Sequence, residues 1–380
     1  MINGDWSSDV CSSDLLLDIL SSSDHEQLKN YISSLVDTAN ISEFQKAFEH
    51  FISEAILPNV TKDAVISTFE KLKSIDDCVK LDFMMSLMPY CQMYPTFLQI
   101  VEKNKAEYIK LCTENKMLEE LAEFYVNEPF DEEKYKVIDE FKVLEHYLAI
   151  AEAYYGGHRK EKASEYISKC RPYIFKDRTP KNLLERYSYL LGLLKAEFGD
   201  IQTAALTFYS STEFATDNVD KYLRLTIIYS ILCGPTPLIK KLIAKVLNNE
   251  RTSKLPIYNL LKMFSRNIQI TKEMIPKFEE EFKNEIGYER EKLLSSIQVH
   301  NLECISNIYS SISLERLSQI IDCPIDQLTP KIAMINSETV KTSIDQPGQM
   351  LICKDLTPKN EVKDQTIYEF CRALSRLVLN

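Results

Sequence analysis

The chain has 380 residues, of which 45% are apolar and 27% charged, and carries a formal net charge of −11 at pH 7. That length can bury a sizeable core and hold more than one domain. The composition excludes a disordered chain, and no apolar run approaches the roughly 18 residues that a membrane-spanning helix needs.

The first element in chain order is not read as structure. Gly4 to Leu15, GDWSSDVCSSDL, resembles the conceptual translation of a sequencing adapter. Residues 1–15 are therefore set aside as an artefact, and the natural N-terminus is expected to be missing. A signal peptide would have a basic start and an apolar core, and this stretch has neither. The nine cysteines beyond it, Cys78, Cys91, Cys112, Cys170, Cys233, Cys304, Cys323, Cys353 and Cys371, never fall at C-x-x-C spacing. They read as small buried hydrophobes of a reducing compartment, so cytoplasm and nucleus are the expected locations.

No glycine occurs between Leu16 and Tyr155, which favours helices over strands joined by tight turns. Pro58, Pro89, Pro95 and Pro129 are read as loop markers in this region. Phe141, Leu144, Leu148, Ala151 and Tyr155 form a helical stripe expected to end at a capping glycine, Gly156. Leu184, Tyr187, Leu191, Leu194 and Phe198 repeat that spacing before Gly199, and Gly234 closes a third helix at Tyr222 to Cys233. Gly199, Asp200, Ala204 and Phe208 resemble the second half of a tetratricopeptide-type repeat. Helix pairs whose apolar faces only their neighbours can cover imply a solenoid.

From His300 the pattern changes to helix, extended piece at Ser311 to Ser313, helix, turn, helix, and two strands joined by Asp345 to Gly348. That order is a winged helix, and no flexible linker separates it from the solenoid. Pro330 is read as the first residue of a late-starting helix, Thr329 to Asn336, with Thr329 as its cap. Between Ser313 and Asp355 four basic residues face six acidic ones, and that helix holds only Lys331. Such a surface repels phosphate, so nucleic acid is excluded as a partner.

Neither metal nor nucleophile chemistry finds a motif. His25, His50, His146, His158 and His300 form no H-x-H or HExxH, and His146 and His300 read as packing or surface histidines. The Gly156-Gly157 pair ends a helix instead of opening one, so it is no phosphate loop. No catalytic residue, cofactor or metal site is expected.

A helical solenoid, a winged helix and one further helix together resemble the PCI-domain family of the large proteasome-lid-like complexes. Three places carry the resemblance to its COP9 signalosome branch: Gly234, Leu242, Glu250 and Arg251; His300, Asn301 and Leu302 with Tyr309, Ile312, Leu314, Leu317 and Ile320; and Ile344, Asp345 and Gln346 opening the wing. It covers residues from Asp139 to the C-terminus. The paralogous non-ATPase subunit of the proteasome lid is the alternative, although its wing usually reads Val-Asp-Arg. The zinc hydrolase of these complexes needs an H-x-H pair, which this chain lacks.

The resemblance implies an all-α fold with a small β-hairpin: an N-terminal solenoid over 16–185, a PCI domain over 186–355 with its winged helix from 289, and a linker with a C-terminal helix over 356–380. It also implies a non-catalytic scaffold that supports removal of NEDD8 from cullin-RING ubiquitin ligases. The expected partners are other PCI and MPN subunits, with cullin-RING ligases met through the complex and no membrane. Two interfaces are expected. One is an intermolecular sheet at the wing, through Val340, Thr342, Ile344, Met350 and Ile352, whose strands read as apolar on both faces. The other is a helical seam of Ile367, Phe370, Leu374, Leu377 and Val378.

Overall fold

The computed structural model describes residues 25–53, 58–128, 137, 139–175, 177–215, 217–335 and 340–355. The chain divides into two compact units, Met1–Asp177 and Arg178–Asn380. The expected boundary after residue 185 falls inside a helix, Lys181–Glu197, that belongs wholly to the second unit.

In the first unit the helices are α1 (His25–Asp37), α2 (Ile41–Ser53), α3 (Pro58–Leu72), α4 (Asp77–Gln92), α5 (Leu98–Glu114), α6 (Leu118–Asn127), α7 (Glu140–Gly156) and α8 (Lys160–Cys170). Most pack on the next in sequence, the local-contact pattern of a helical repeat. Aromatic pairs tie the layers: Phe44 meets Phe83 edge-on at 4.8 Å, and Tyr108 meets Phe124 at the same distance.

Three helix ends here make their left-handed turn at a residue other than glycine. Ala39, Lys116 and His158 adopt left-handed backbone after α1, α5 and α7, and the next amide in each case bonds back into the helix, as Met117 N–H does to the Cys112 carbonyl at 2.9 Å. The expectation for Gly156 is thereby corrected. Gly156 lies within α7, and His158, at φ 61°, makes the turn. The glycines serve close approach instead: a Cβ on Gly156 runs into the end of the Leu118 side chain, and one on Gly157 meets the Glu119 backbone at 2.9 Å. Pro89 likewise marks no loop but lies inside α4, where Leu87, Met88 and Cys91, all fully buried, hold the helix through it.

The second unit contains α9 (Lys181–Glu197), α10 (Ile201–Ser211), α11 (Val219–Cys233), α12 (Pro237–Leu247), α13 (Tyr258–Ser265), α14 (Ile275–Phe282) and α15 (Arg290–Ser306), followed by the winged helix. Gly199 (φ 81°) and Gly234 (φ 82°) end α9 and α11 as the sequence predicts. Phe208 on α10 is fully buried and stacks on Tyr229 of α11 at 5.2 Å. Gly192 makes room for that ring, because a Cβ there stands 2.7 Å from Phe208. Phe198, expected on the buried stripe, is 48% exposed because α9 has already ended its last turn.

Candidate functional site

The winged helix is built on α15. From Ser296 to Ser306 this helix is buried on nearly every side, since α11 packs against it on one side and the winged-helix elements on the other. Apolar side chains alone do not fill its surroundings. Asn301 Nδ2 donates to the Ile270 carbonyl and its Oδ1 accepts from the Ile270 amide, both at 2.8 Å. The His300 ring stacks on Phe264 with centroids 4.3 Å apart, and its Nε2 lies 3.0 Å from the Ile268 carbonyl. Glu303 pairs with Lys240 from α12, and Ser296 donates to the Ile231 carbonyl at the end of α11. These polar anchors fix the winged helix to the helices before it, in keeping with the absence of a linker.

After α15 come β1 (Ser311–Ser313), α16 (Leu314–Ile321), α17 (Ile325–Ile335), β2 (Val340–Asp345) and β3 (Met350–Asp355). Ser313 caps α16 by accepting from the Arg316 amide at 3.2 Å. Asp322 ends it in left-handed backbone, and its carbonyl accepts from Gln298 on α15 at 2.8 Å. The strands form one antiparallel sheet in the order β1-β3-β2.

The expected late start at Thr329 is corrected. α17 runs from Ile325 straight through Pro330. Leu328 and Ile332, one before and one after the proline, are buried in the common core and keep the helix in place. Pro330 and Asp326 are both exposed, so the Asp326 carbonyl, deprived of its helical donor, faces water.

The structure separates the expected wing residues onto two faces. Ile344 opposes Leu351 in the ladder and packs against the core formed by Leu302, Ile312, Leu317 and Leu328, in which Leu351 and Cys353 are buried. Thr342 opposes Cys353 on that inner face, and Val340 stands opposite Asp355. Met350 and Ile352 alternate to the other face and are half-buried. Of the two apolar faces read from the sequence, the inner one belongs to the core that α15, α16 and α17 share with the sheet. β2 and β1 form the two edges of the sheet. Ile367, Phe370, Leu374, Leu377 and Val378 lie outside the described residues.

Burial pushes the Cys304 thiol up to about 12 and raises Cys323 and Cys353 as well, so these thiols stay protonated and unreactive. Among the described residues no three His, Cys, Asp or Glu side chains group as metal ligands, and Cys304, Cys323 and Cys353 form no disulfide.

Residues 257–355 match the family model of the PCI domain, a span that takes in α13 through β3. This chain carries a PCI domain. Its likeness extends well beyond that domain: the chain is 22% identical over 375 residues to COP9 signalosome complex subunit 4 of Arabidopsis thaliana, covering 93% of this chain and 92% of that protein. Over 164 residues it is 29% identical to COP9 signalosome complex subunit 4 of Caenorhabditis elegans, covering 41% of this chain and 39% of that one. The residues singled out in the sequence, His300, Asn301 and Leu302, prove to be the polar and apolar anchors of the PCI domain's winged helix. Sequence reading missed their bonding partners, Ile268 and Ile270, because those contribute only backbone atoms and no side-chain pattern marks them.

Proposed function

We propose that this chain is a non-catalytic scaffold subunit of the COP9 signalosome that supports removal of NEDD8 from cullin-RING ubiquitin ligases. The observation that carries the reading is the end-to-end likeness to the Arabidopsis subunit, 93% of one chain against 92% of the other. A rigidly mounted winged helix with β1 and β2 as its edge strands among the described residues supports a role in assembly. Its partners are other PCI and MPN subunits, cullin-RING ligases engage through the assembled complex, and the complex works in cytoplasm and nucleus.

Two contacts hold the chain in place on this reading. The outer edge of β2, together with Met350 and Ile352 on the outer face of the wing, pairs with a neighbouring subunit. The segment carrying Ile367, Phe370, Leu374, Leu377 and Val378 joins a helical bundle with other subunits. Phe370→Asp with Leu374→Asp detaches the chain from the complex while its circular dichroism is unchanged.

The functional experiment is depletion and add-back. Loss of this chain leads to accumulation of NEDD8-conjugated cullins, and the wild-type chain reverses it. Normal cullin conjugation in its absence contradicts the proposal.

A further inference from the structure

The N-terminal unit holds a surface that the assembly role does not use. Along α3 and just past its end, Lys62, Ile66, Phe69 and Lys73 recur at i, i+4, i+7 and i+11, so lysines stand at both ends of an apolar stripe. Ile100 and Lys103 of α5 face that stripe across a cavity of about 410 Å³. Its floor is apolar, with Phe69 4% and Ile100 7% exposed. Its rim is cationic, and Glu70 is the one carboxylate among the residues that line it.

The three lysines of this groove differ from several of their neighbours. Lys71, Lys80, Lys105 and Lys110 nearby each have a carboxylate partner, at 2.7, 2.9, 2.5 and 3.8 Å. Among the described residues Lys62, Lys73 and Lys103 form no ion pair. A chain with a net charge of −11 has therefore gathered three uncompensated cations around one apolar groove.

We propose that the groove between α3 and α5 docks a short acidic segment of a partner protein, in which apolar residues are flanked by aspartates or glutamates. Charge complementarity selects the flanks, and the Ile66, Phe69 and Ile100 floor selects the centre. Lys62 and Lys73 are about 16 Å apart along the helix at about 1.5 Å per residue, which about five residues of extended chain span at about 3.3 Å each. A polyanion without apolar groups leaves the floor uncovered. This surface lies outside the PCI domain, and its role stands whether or not the chain assembles through its winged helix.

The test uses the full chain and the fluorescein-labelled peptide Asp-Asp-Leu-Phe-Leu-Asp-Asp, with binding read by fluorescence anisotropy. Wild-type protein binds it, and Lys73→Glu with Lys103→Glu weakens binding about tenfold or more, whereas Lys46→Glu, which lies outside the groove, does not. Both reversed lysines are exposed, and circular dichroism confirms that the variant is folded. Equal binding by wild type and the double variant overturns the proposal, as does no binding to either. Tighter binding of polyaspartate or inorganic polyphosphate than of the peptide assigns the site to plain charge and overturns it too. A dimer that dissolves on lysine reversal gives the groove to a second copy, with the same consequence.

Discussion

Asn301 holds Ile270 by both of its backbone polar groups, accepting from the amide and donating to the carbonyl, each at 2.8 Å. Ile270 is itself 2% exposed, so neither group has water as an alternative. Asn301→Leu therefore leaves a buried donor and a buried acceptor unpaired and costs about 3 kcal/mol in urea unfolding. Asn301→Asp keeps an acceptor for the amide but sets a carboxylate against the carbonyl, so it is also destabilising. A variant as stable as wild type means that the clamp does not hold the segment after α13.

His300 gives the PCI unit a pH dependence. Burial lowers its pKa below the ordinary 6.5; the Ile268 carbonyl and Glu303 oppose that shift, and Lys240 adds to it. Above 6.5 the ring is neutral in folded and unfolded chains alike. As the pH falls below 6.5 the unfolded chain takes up a proton that the folded one resists, so stability declines in the acid direction. His146, in the first unit, is lowered by burial as well and gives that unit the same trend. Urea midpoints at about pH 7.5 and about pH 5.5 differ less for His300→Gln than for wild type. An unchanged difference removes His300 as a contributor.

Two substitutions distinguish space from backbone strain. Gly192→Ala drives a methyl to 2.7 Å from the Phe208 ring and destabilises by about 1–3 kcal/mol, despite alanine's better helix propensity. Lys116→Gly relieves a residue held at φ 60° on an exposed turn and stabilises by about 0.5 kcal/mol. Chemical denaturation of the two variants reads both signs, and a stabilised Gly192→Ala contradicts the packing described for α9 and α10.

On the proposed reading, the two faces of the wing serve folding and assembly separately. Leu351→Asp places a charge in the fully buried centre of the winged-helix core and unfolds that domain. Ile352→Asp, one residue on, points to the other face, leaves the fold intact and weakens co-assembly with partner subunits. If Ile352→Asp unfolds the chain as readily as Leu351→Asp, the outer face is not a partner surface.

Much of this was legible in the sequence because periodicity reports burial. The winged-helix order and its three strands follow from the alternation between His300 and Cys353, and the Ser311 to Ser313 strand lies at its expected position. Positions where tertiary packing overrides a local rule were not legible. Pro89 and Pro330 sit inside helices because buried neighbours on both sides outweigh one lost hydrogen bond. Ala39, Lys116 and His158 take turns usually left to glycine, so the lack of glycine in that region does not report the turn geometry. Strand alternation shows two apolar faces on the wing without showing that α15 to α17 pack on one of them. The lysine groove was not read from the sequence, because only the opposite face of α5 turns the Lys62, Ile66, Phe69 and Lys73 stripe into a cavity.

The most direct test of the central claim is purification of the full chain from its own cells, with the co-purifying proteins identified and quantified by mass spectrometry. The account predicts signalosome subunits of the PCI and MPN types in equal stoichiometry, with cullins below them. Proteasomal ATPases in place of those subunits, or a chain that purifies alone, contradict it.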